Sequence, residues 1–398
     1  MRTSGWVWFL ALGALLTACG GSKDKPSRWE ADPVGRWLFG DFHVHATGAS
    51  NDTGKDSTPE AIKAKALEVG LDFLVLTDHS NSTGSDVDSL DENPELFNKG
   101  PEFTYWDKAK ELSDDDFRMV DGNELSPRSE SDDVKTGHIG CTPMDLDDFD
   151  TDSAFIDRPR GAVTGGEALE QALDRGCFAT VNHPFSMTHV SYDWTSYDYD
   201  GLEIWNGTPP GVEFFDNWGY NAWRCDLLEG REVTAMGGSD NHRVNVMAPG
   251  EGLTDPALGY PTTAVFAKNA EWSSVVAGLK AHDTVLFEGA SRLFLDGYAE
   301  DGTRADGPDI RWLRIRVKVD ATATNPVLRV TRVTACEEHR PDSAPTPTAD
   351  KLLERPLEPG DDLDLEVEIA GEAGVYTAFL ETSGSYAAFS QAIVAREN

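Results

Sequence analysis

Apolar and polar positions along the chain change their rhythm near residue 291. Before it, short continuous apolar runs alternate with amphipathic stretches; after it, apolar residues recur at every second position. WLFGDFHVHA predicts a strand, and AIKAKALEVG, after Ser57-Thr58-Pro59-Glu60, predicts a helix. Ser57 and Glu60 have capping-box spacing, and Gly70 stands where a helix-ending glycine belongs. LDFLVLTDH is an unbroken apolar run that ends polar, the mark of a strand buried on both faces. Residues 80–116 read as a polar, acidic insertion with one helix around Glu102–Leu112. The alternation resumes with strands FRMVDGNEL, CFATVNHP, GLEIWNG, VTAMGGSD, PTTAVFA and TVLFEG. Helices GEALEQALDRG, NWGYNAWRCDLLEG and WSSVVAGLKAH lie between them. Repeated strand–helix units of this kind argue for a parallel α/β barrel or open sheet. From 291 on, WLRIRVKVD, PVLRVTRVTA, LDLEVEIA and GVYTAFLETS keep period two, around a Pro/Thr-rich loop at 341–350. That predicts a small antiparallel β domain, sandwich-like, over 291–398.

The first residues carry a different signal. Arg2 precedes an apolar run from Trp6 to Leu16, too short for a permanent span and suited to export. Leu16-Thr17-Ala18-Cys19 resembles the bacterial lipobox, in which cleavage precedes a cysteine that is then lipidated. On that reading 1–18 is a signal peptide, and 19–35 is a lipidated Cys19 with a polar tether. A plain secretory signal with an incidental Cys19 is the alternative. Gly20, where an aspartate would retain the protein at the inner membrane, points to the outer membrane, facing periplasm or exterior. The expected location is the bacterial cell envelope, with membrane contact through the lipid.

Length and charge narrow the function. At 398 residues two folded units are the natural prior, here 36–290 and 291–398. Acidic residues number 70 against 34 basic, a net charge of −36. Such a surface repels phosphate backbones, so nucleic acid is not an expected partner. A small-molecule substrate is expected instead, and no protein partner. Cys141, Cys177, Cys225 and Cys336 could form two disulfides outside the cytoplasm, with all three pairings open.

Candidate chemistry lies where the predicted strands end. His43 and His45, two apart in a strand, project to one face. Asp78 and His79 end LDFLVLTDH, Glu124 ends FRMVDGNE, His138 lies in TGHIGC, His183 closes ATVNHP, and Asp240 with His242 closes AMGGSDNH. In α/β barrels strand C-termini converge on one mouth. Six of the nine histidines fall in these motifs beside carboxylates, a donor mixture suited to zinc, manganese or iron. No nucleophile-elbow signature is visible, and Ser186 and Ser239 read as turn formers. Asp78 is expected to orient a neighbouring imidazole. Arg128 and Arg243 are the candidate anion-binding groups, with surface arginines as the bland alternative. His189, Trp205 and Asn206 are candidate mouth residues, Trp205 equally a packing residue. The aspartates at 145–152 lack an EF-hand glycine and distal glutamate and read as a solvated loop.

The ordered motifs HxH, TDH, GNE, GH, NHP and SDNH resemble the PHP (polymerase and histidinol phosphatase) family, and within it the CehA/McbA-like metallohydrolases. The resemblance covers residues 36 to about 290. It implies a distorted (β/α)7 barrel with two or three divalent metal ions at its mouth. It also implies a hydrolase that attacks with metal-activated water, acting on phosphoesters or on ester, carbamate or amide bonds. By position, His43, His45, Glu124 and Asp240 would hold one ion. Glu124 would bridge to a second on His138 and His183, making Glu124, Asp240 and His183 the catalytic set. His79 and His242 would serve a third, completed in relatives by a histidine or aspartate soon after HxH. Here that stretch reads ATGASNDTG, with Asp52 the nearest carboxylate. A non-catalytic, metal-containing binding protein is the remaining alternative.

Overall fold

The computed structural model describes residues 29–396 except 32, 51–52, 81–101, 128–137, 158–162, 186–197, 208–213, 247–255, 338–344, 370 and 384. Cys19, Asp52, Arg128 and His189 lie outside the described residues. In the first part the order is β1 (Arg36–Val44), α1 (Pro59–Val69), β2 (Phe73–Leu76), α2 (Trp106–Leu112), β3 (Arg118–Asp121), β4 (Asn123–Leu125) and β5 (His138–Pro143). Then come α3 (Gly165–Arg175), β6 (Cys177–Asn182), β7 (Gly201–Asn206), α4 (Phe214–Leu228), β8 (Thr234–Gly238), β9 (Thr262–Ala267), α5 (Trp272–Lys280) and β10 (Thr284–Phe287). The remaining strands are β11 (Arg292–Tyr298), β12 (Trp312–Lys318), β13 (Val327–Cys336), β14 (Pro347–Pro356), β15 (Asp362–Glu368), β16 (Gly374–Thr382), β17 (Ser385–Phe389) and β18 (Ile393–Ala395). The fold is mixed α/β, with one large sheet and few helices.

Local sequence explains where α1 and α3 begin. In α1 the cap is Thr58, one residue later than the expected Ser57, because Pro59 takes the first helical position. The Thr58 hydroxyl accepts from the Ala61 N–H at 3.3 Å. Ser57 turns the other way, donating to the His242 carbonyl and accepting from the Val244 N–H, at 3.2 and 3.0 Å. Helix α3 has a full capping box between Thr164 and Glu167.

Three sheets form. One runs β14-β13-β16-β17-β10-β9-β1-β2-β3 with β18 beside β16, one is β4-β5-β6-β7-β8, and one is β11-β12-β15. Two backbone seams join the second sheet to β1 and β2. At one, the Asp240 N–H donates to the His43 carbonyl at 2.8 Å and the His45 N–H to the Asn241 carbonyl at 3.0 Å. At the other, the Glu124 N–H donates to the Asp78 carbonyl at 2.9 Å and the Ser80 N–H to the Glu124 carbonyl at 2.8 Å. The sheet is not wholly parallel. β5 runs antiparallel to both β4 and β6, so His138, at its start, lies level with residues that end other strands.

The β-rich part is not set apart from the rest. β17 pairs with β10, and Phe287 of β10 shares an apolar cluster with Leu293, Ile315, Leu328, Tyr376 and Leu380. On β12, Leu313, Ile315 and Val317 are buried while the residues between them face outward, the period-two pattern in space. Disulfides join Cys141 to Cys177 and Cys225 to Cys336, with Cα–Cα distances of 5.0 and 5.7 Å.

Candidate metal centre

The two seams bring six histidines to one place. His43 and His45 project from the end of β1 to the same face, ring centroids 5.2 Å apart. His45 stacks on His242 at 4.0 Å and lies 4.5 Å from His79, and His138 meets His183 at 4.8 Å. Buried at their centre is Glu124 of β4. Its Oε1 lies 3.0 Å from His43 Nε2 and 3.1 Å from His183 Nε2. Its Oε2 lies 3.0 Å from His79 Nδ1, 3.2 Å from His138 Nδ1 and 3.7 Å from His45 Nε2. Asp240 Oδ1 faces His45 Nε2 at 3.2 Å, His43 Nε2 at 3.3 Å and His242 Nδ1 at 3.7 Å.

Side chains beneath these donors set which nitrogen each imidazole presents. Glu203 Oε1 accepts from His43 Nδ1 at 3.0 Å. The Ser50 hydroxyl donates to Asp78 at 2.8 Å, so toward His45 Nδ1, at 3.0 Å, it is an acceptor. Both histidines therefore turn Nε2 inward. Asp78 also accepts the Ala46 N–H at 2.7 Å. Asp41 accepts the Ser239 N–H at 3.0 Å and the Gly259 N–H at 2.8 Å, and so fastens β8 and the segment before β9 to β1. Asn182 donates to Glu124 Oε1 at 3.0 Å.

These donors fit divalent metal ions. His43 Nε2, His45 Nε2, Glu124 Oε2 and His138 Nδ1 are buried with no hydrogen-bond partner, although oxygens or nitrogens stand close by. Such orphaned atoms are costly unless something else satisfies them. Among the described residues, four donor sets have their ligand atoms within 4.8 Å of one another: His43–His45–Asp240, His79–Glu124–His138, His43–His183–Glu203 and His45–His79–His242. The sets share members. His79, expected in a third site with His242, also falls beside Glu124 and His138.

Electrostatics agree with that chemistry. Burial works against charge on Glu124, yet the His138 and His43 charges hold its carboxyl well below the usual range. Asp240 is likewise held well down, by the charge of His43 and the adjacent His45 ring, against burial. Burial opposes a proton on His43, but Asp240, Glu124 and Glu203 outweigh it and raise the imidazole well above its ordinary value. Burial, with His242 and His79 alongside, drives His45 down to about 3. Burial also lifts the Asp78 carboxyl to about 6, against the pull of its Ala46 and Ser50 hydrogen bonds. Ionised carboxylates packed among imidazoles and away from water make a place for a cation.

Two of the residues that meet here are strained. His183 has φ 26° and Asp240 φ 54°, both in the left-handed region that non-glycine residues avoid. Each costs on the order of 1–3 kcal/mol and persists where surrounding bonds impose it.

Asn206 donates to Glu203 Oε2 at 3.1 Å and to Asp240 Oδ2 at 3.3 Å, behind the donors. Arg243 is exposed beside His242. Trp205 is buried, its ring 5.6 Å from Phe389. The aspartates at 145–152 make exposed Asx turns, Asp145 accepting from Asp147 and Asp150 from Asp152. Sequence reasoning missed Glu203, Asp41, Ser50 and Asn182. For Glu203 a signal existed: an acid between apolar neighbours inside the strand GLEIWN.

No family model and no curated protein matches the chain. Solved structures do. A two-domain protein from Bacteroides vulgatus, containing a predicted PHP-like metal-dependent phosphoesterase, is 14% identical. It aligns over 92% of this chain and 97% of its own, with a TM-score of 0.42. PHP-like proteins are thus among the structures it is similar to. The lesion-specific endonuclease Q of Pyrococcus furiosus is 15% identical over 62% of this chain and 56% of its own, TM-score 0.40. PsfC from Pseudomonas syringae is 17% identical over 64% and 93%, TM-score 0.40.

Proposed function

We propose that this chain is a metal-dependent hydrolase of PHP type, acting on a small-molecule phosphoester. One observation carries the reading: the two oxygens of Glu124 meet five imidazoles from β1, the end of β2, β5 and the end of β6. A carboxylate so placed suits two cations at once. His43, His45 and Asp240 would hold one with Glu124, and His138 and His183 the other; His79 and His242 are left for a third. Divalent ions, when bound, supply activation of water near neutral pH and Lewis-acid stabilisation of the transition state. The chain itself contributes the fixed donors, Nε2 of the HxH pair turned inward, and exclusion of bulk water by burial. In this proposal β1, β2, β3 with β4, β5, β6, β7 and β8 form the distorted (β/α)7 ring, closed at the two seams. The strands after 291 add a sandwich-like layer. The expected lipid anchor would place the enzyme at the cell envelope, and the acidity of the chain supports a small substrate over nucleic acid.

The test combines metal analysis with turnover of p-nitrophenyl phosphate, its bis-ester and a naphthyl carbamate. The native chain should carry at least two ions and hydrolyse a phosphoester. Glu124→Ala should lose metal and at least about a hundred-fold in rate. Carbamate turnover alone would move the assignment to ester, carbamate or amide bonds. Full occupancy with no turnover of any of the three would overturn the hydrolase reading in favour of a binding protein. Unchanged metal content in Glu124→Ala would overturn the bridging role.

A further inference from the structure

Glu203 stands outside every motif that pointed to the centre, yet it touches the residues expected to hold both ions. It is buried in the middle of β7, its carboxylate directed into the ring of donors. Oε1 accepts from His43 Nδ1 at 3.0 Å. Oε2 accepts the His183 backbone N–H at 2.7 Å and the Asn206 amide at 3.1 Å. The same Asn206 amide reaches Asp240 Oδ2 at 3.3 Å. His183 and Asp240 are the two residues of the centre held at positive φ, and this network ends on both.

We propose that Glu203 is a positioning residue that sets the donor geometry of the metal centre, a role that rests on the metal-hydrolase reading above. Its bond to His43 engages Nδ1 and so leaves Nε2 as the nitrogen that faces Glu124 and Asp240. Its other oxygen holds the His183 backbone in its left-handed turn, and Asn206 carries the restraint to the Asp240 carboxylate. One side chain thereby fixes a donor of the first ion, a donor of the second, and their separation. His45 receives a weaker restraint, from the neutral Ser50 hydroxyl. The pair HxH is therefore asymmetric, with His43 the more basic donor.

Glu203 could instead be a ligand, since it falls within a donor set with His43 and His183. Its bonding argues otherwise. Both oxygens are engaged with N–H groups, and an ion beside Oε1 would have to displace the proton on His43 Nδ1.

Glu203→Gln keeps the shape and removes one acceptor. Whichever end its amide NH2 occupies, an N–H of His43 or His183 loses its partner. Zinc affinity and stoichiometry are measured by competition with a chromophoric chelator, for the native chain, Glu203→Gln and Asn206→Ala. Melting of the metal-free proteins reports folding, and long-range 1H–15N spectra of the zinc-loaded forms report the His43 ring proton. We expect Glu203→Gln to bind the same number of ions about 10- to 100-fold more weakly, with the His43 Nδ1–H signal shifted or lost. Asn206→Ala should weaken binding less and leave that signal in place. Unchanged affinity in a folded Glu203→Gln would overturn the proposal, leaving a structural role. Loss of one whole ion would overturn it too, making Glu203 a ligand. A native chain that binds no zinc, manganese or iron would instead sink the hydrolase reading itself.

Discussion

Asp226 shows how much a single buried acid can matter away from the centre. It sits on α4 with its carboxyl pushed up to about 6, chiefly by burial, against a hydrogen bond from the Tyr199 hydroxyl and the charge of Arg231. Unfolded, the same group titrates near 3.8. The folded chain thus holds the proton more tightly, and the stabilisation is complete below about pH 4. It is lost as pH rises through 6, by an amount on the order of 3 kcal/mol. Asp226→Asn keeps an acceptor for Tyr199 and removes the charge. It should therefore melt higher than the native chain at pH 7.5, and the difference should vanish by pH 4. Calorimetry over that range checks it; parallel curves would refute the assignment.

Among the elements, the junction of β1 and β8 decides whether a centre exists. Gly238 lies where a Cβ would stand 2.3 Å from His43 Cβ and 3.0 Å from both the His43 nitrogen and Glu203 Oε1. Nothing larger fits without moving β8 from β1. Gly238→Ala should cost about 1–3 kcal/mol as overpacking. It should also weaken metal binding in the protein that still folds, because Asp240 rides on the displaced strand. Thermal melts and a zinc titration measure both effects, and a loss of stability with intact affinity would contradict this account. The donor histidines were legible in the sequence because each closes or opens a strand, where polar residues interrupt an apolar run. Neither β5, which is not among the predicted strands, nor its reversal was legible. HIGCTP reads the same in either direction, and only pairing with β4 and β6 brings His138 to the centre.

For the whole molecule, the strand pairing of β10 with β17 and the Cys225–Cys336 disulfide tie the two rhythms of the sequence together. The apolar cluster that includes Phe287, Leu293 and Tyr376 spans the change at residue 291. Unfolding should accordingly be one cooperative calorimetric transition across 36–396, and two separated transitions would speak against coupling. Cys225→Ser with Cys336→Ser opens a link between residues 111 apart. It should destabilise by roughly 5 kcal/mol in the loop-entropy view. A lowered denaturant midpoint checks it. The pairing of four cysteines was undetermined by spacing alone, since which thiols meet depends on how α4 lies against the end of β13.

By itself the sequence determined the rhythm of strands and helices, the change near 291, and the chemical kind of the centre. Local propensity, apolar period and residue type at strand ends carry that information within a few residues. Tertiary structure decided the partners. Asp41 and Ser50 look like ordinary polar residues, and Glu203 shows only as an acid among apolar neighbours, until folding sets them against Ser239, His45 and His43. A hydrogen bond between residues 160 positions apart has no local trace, because it exists only once both ends are buried together.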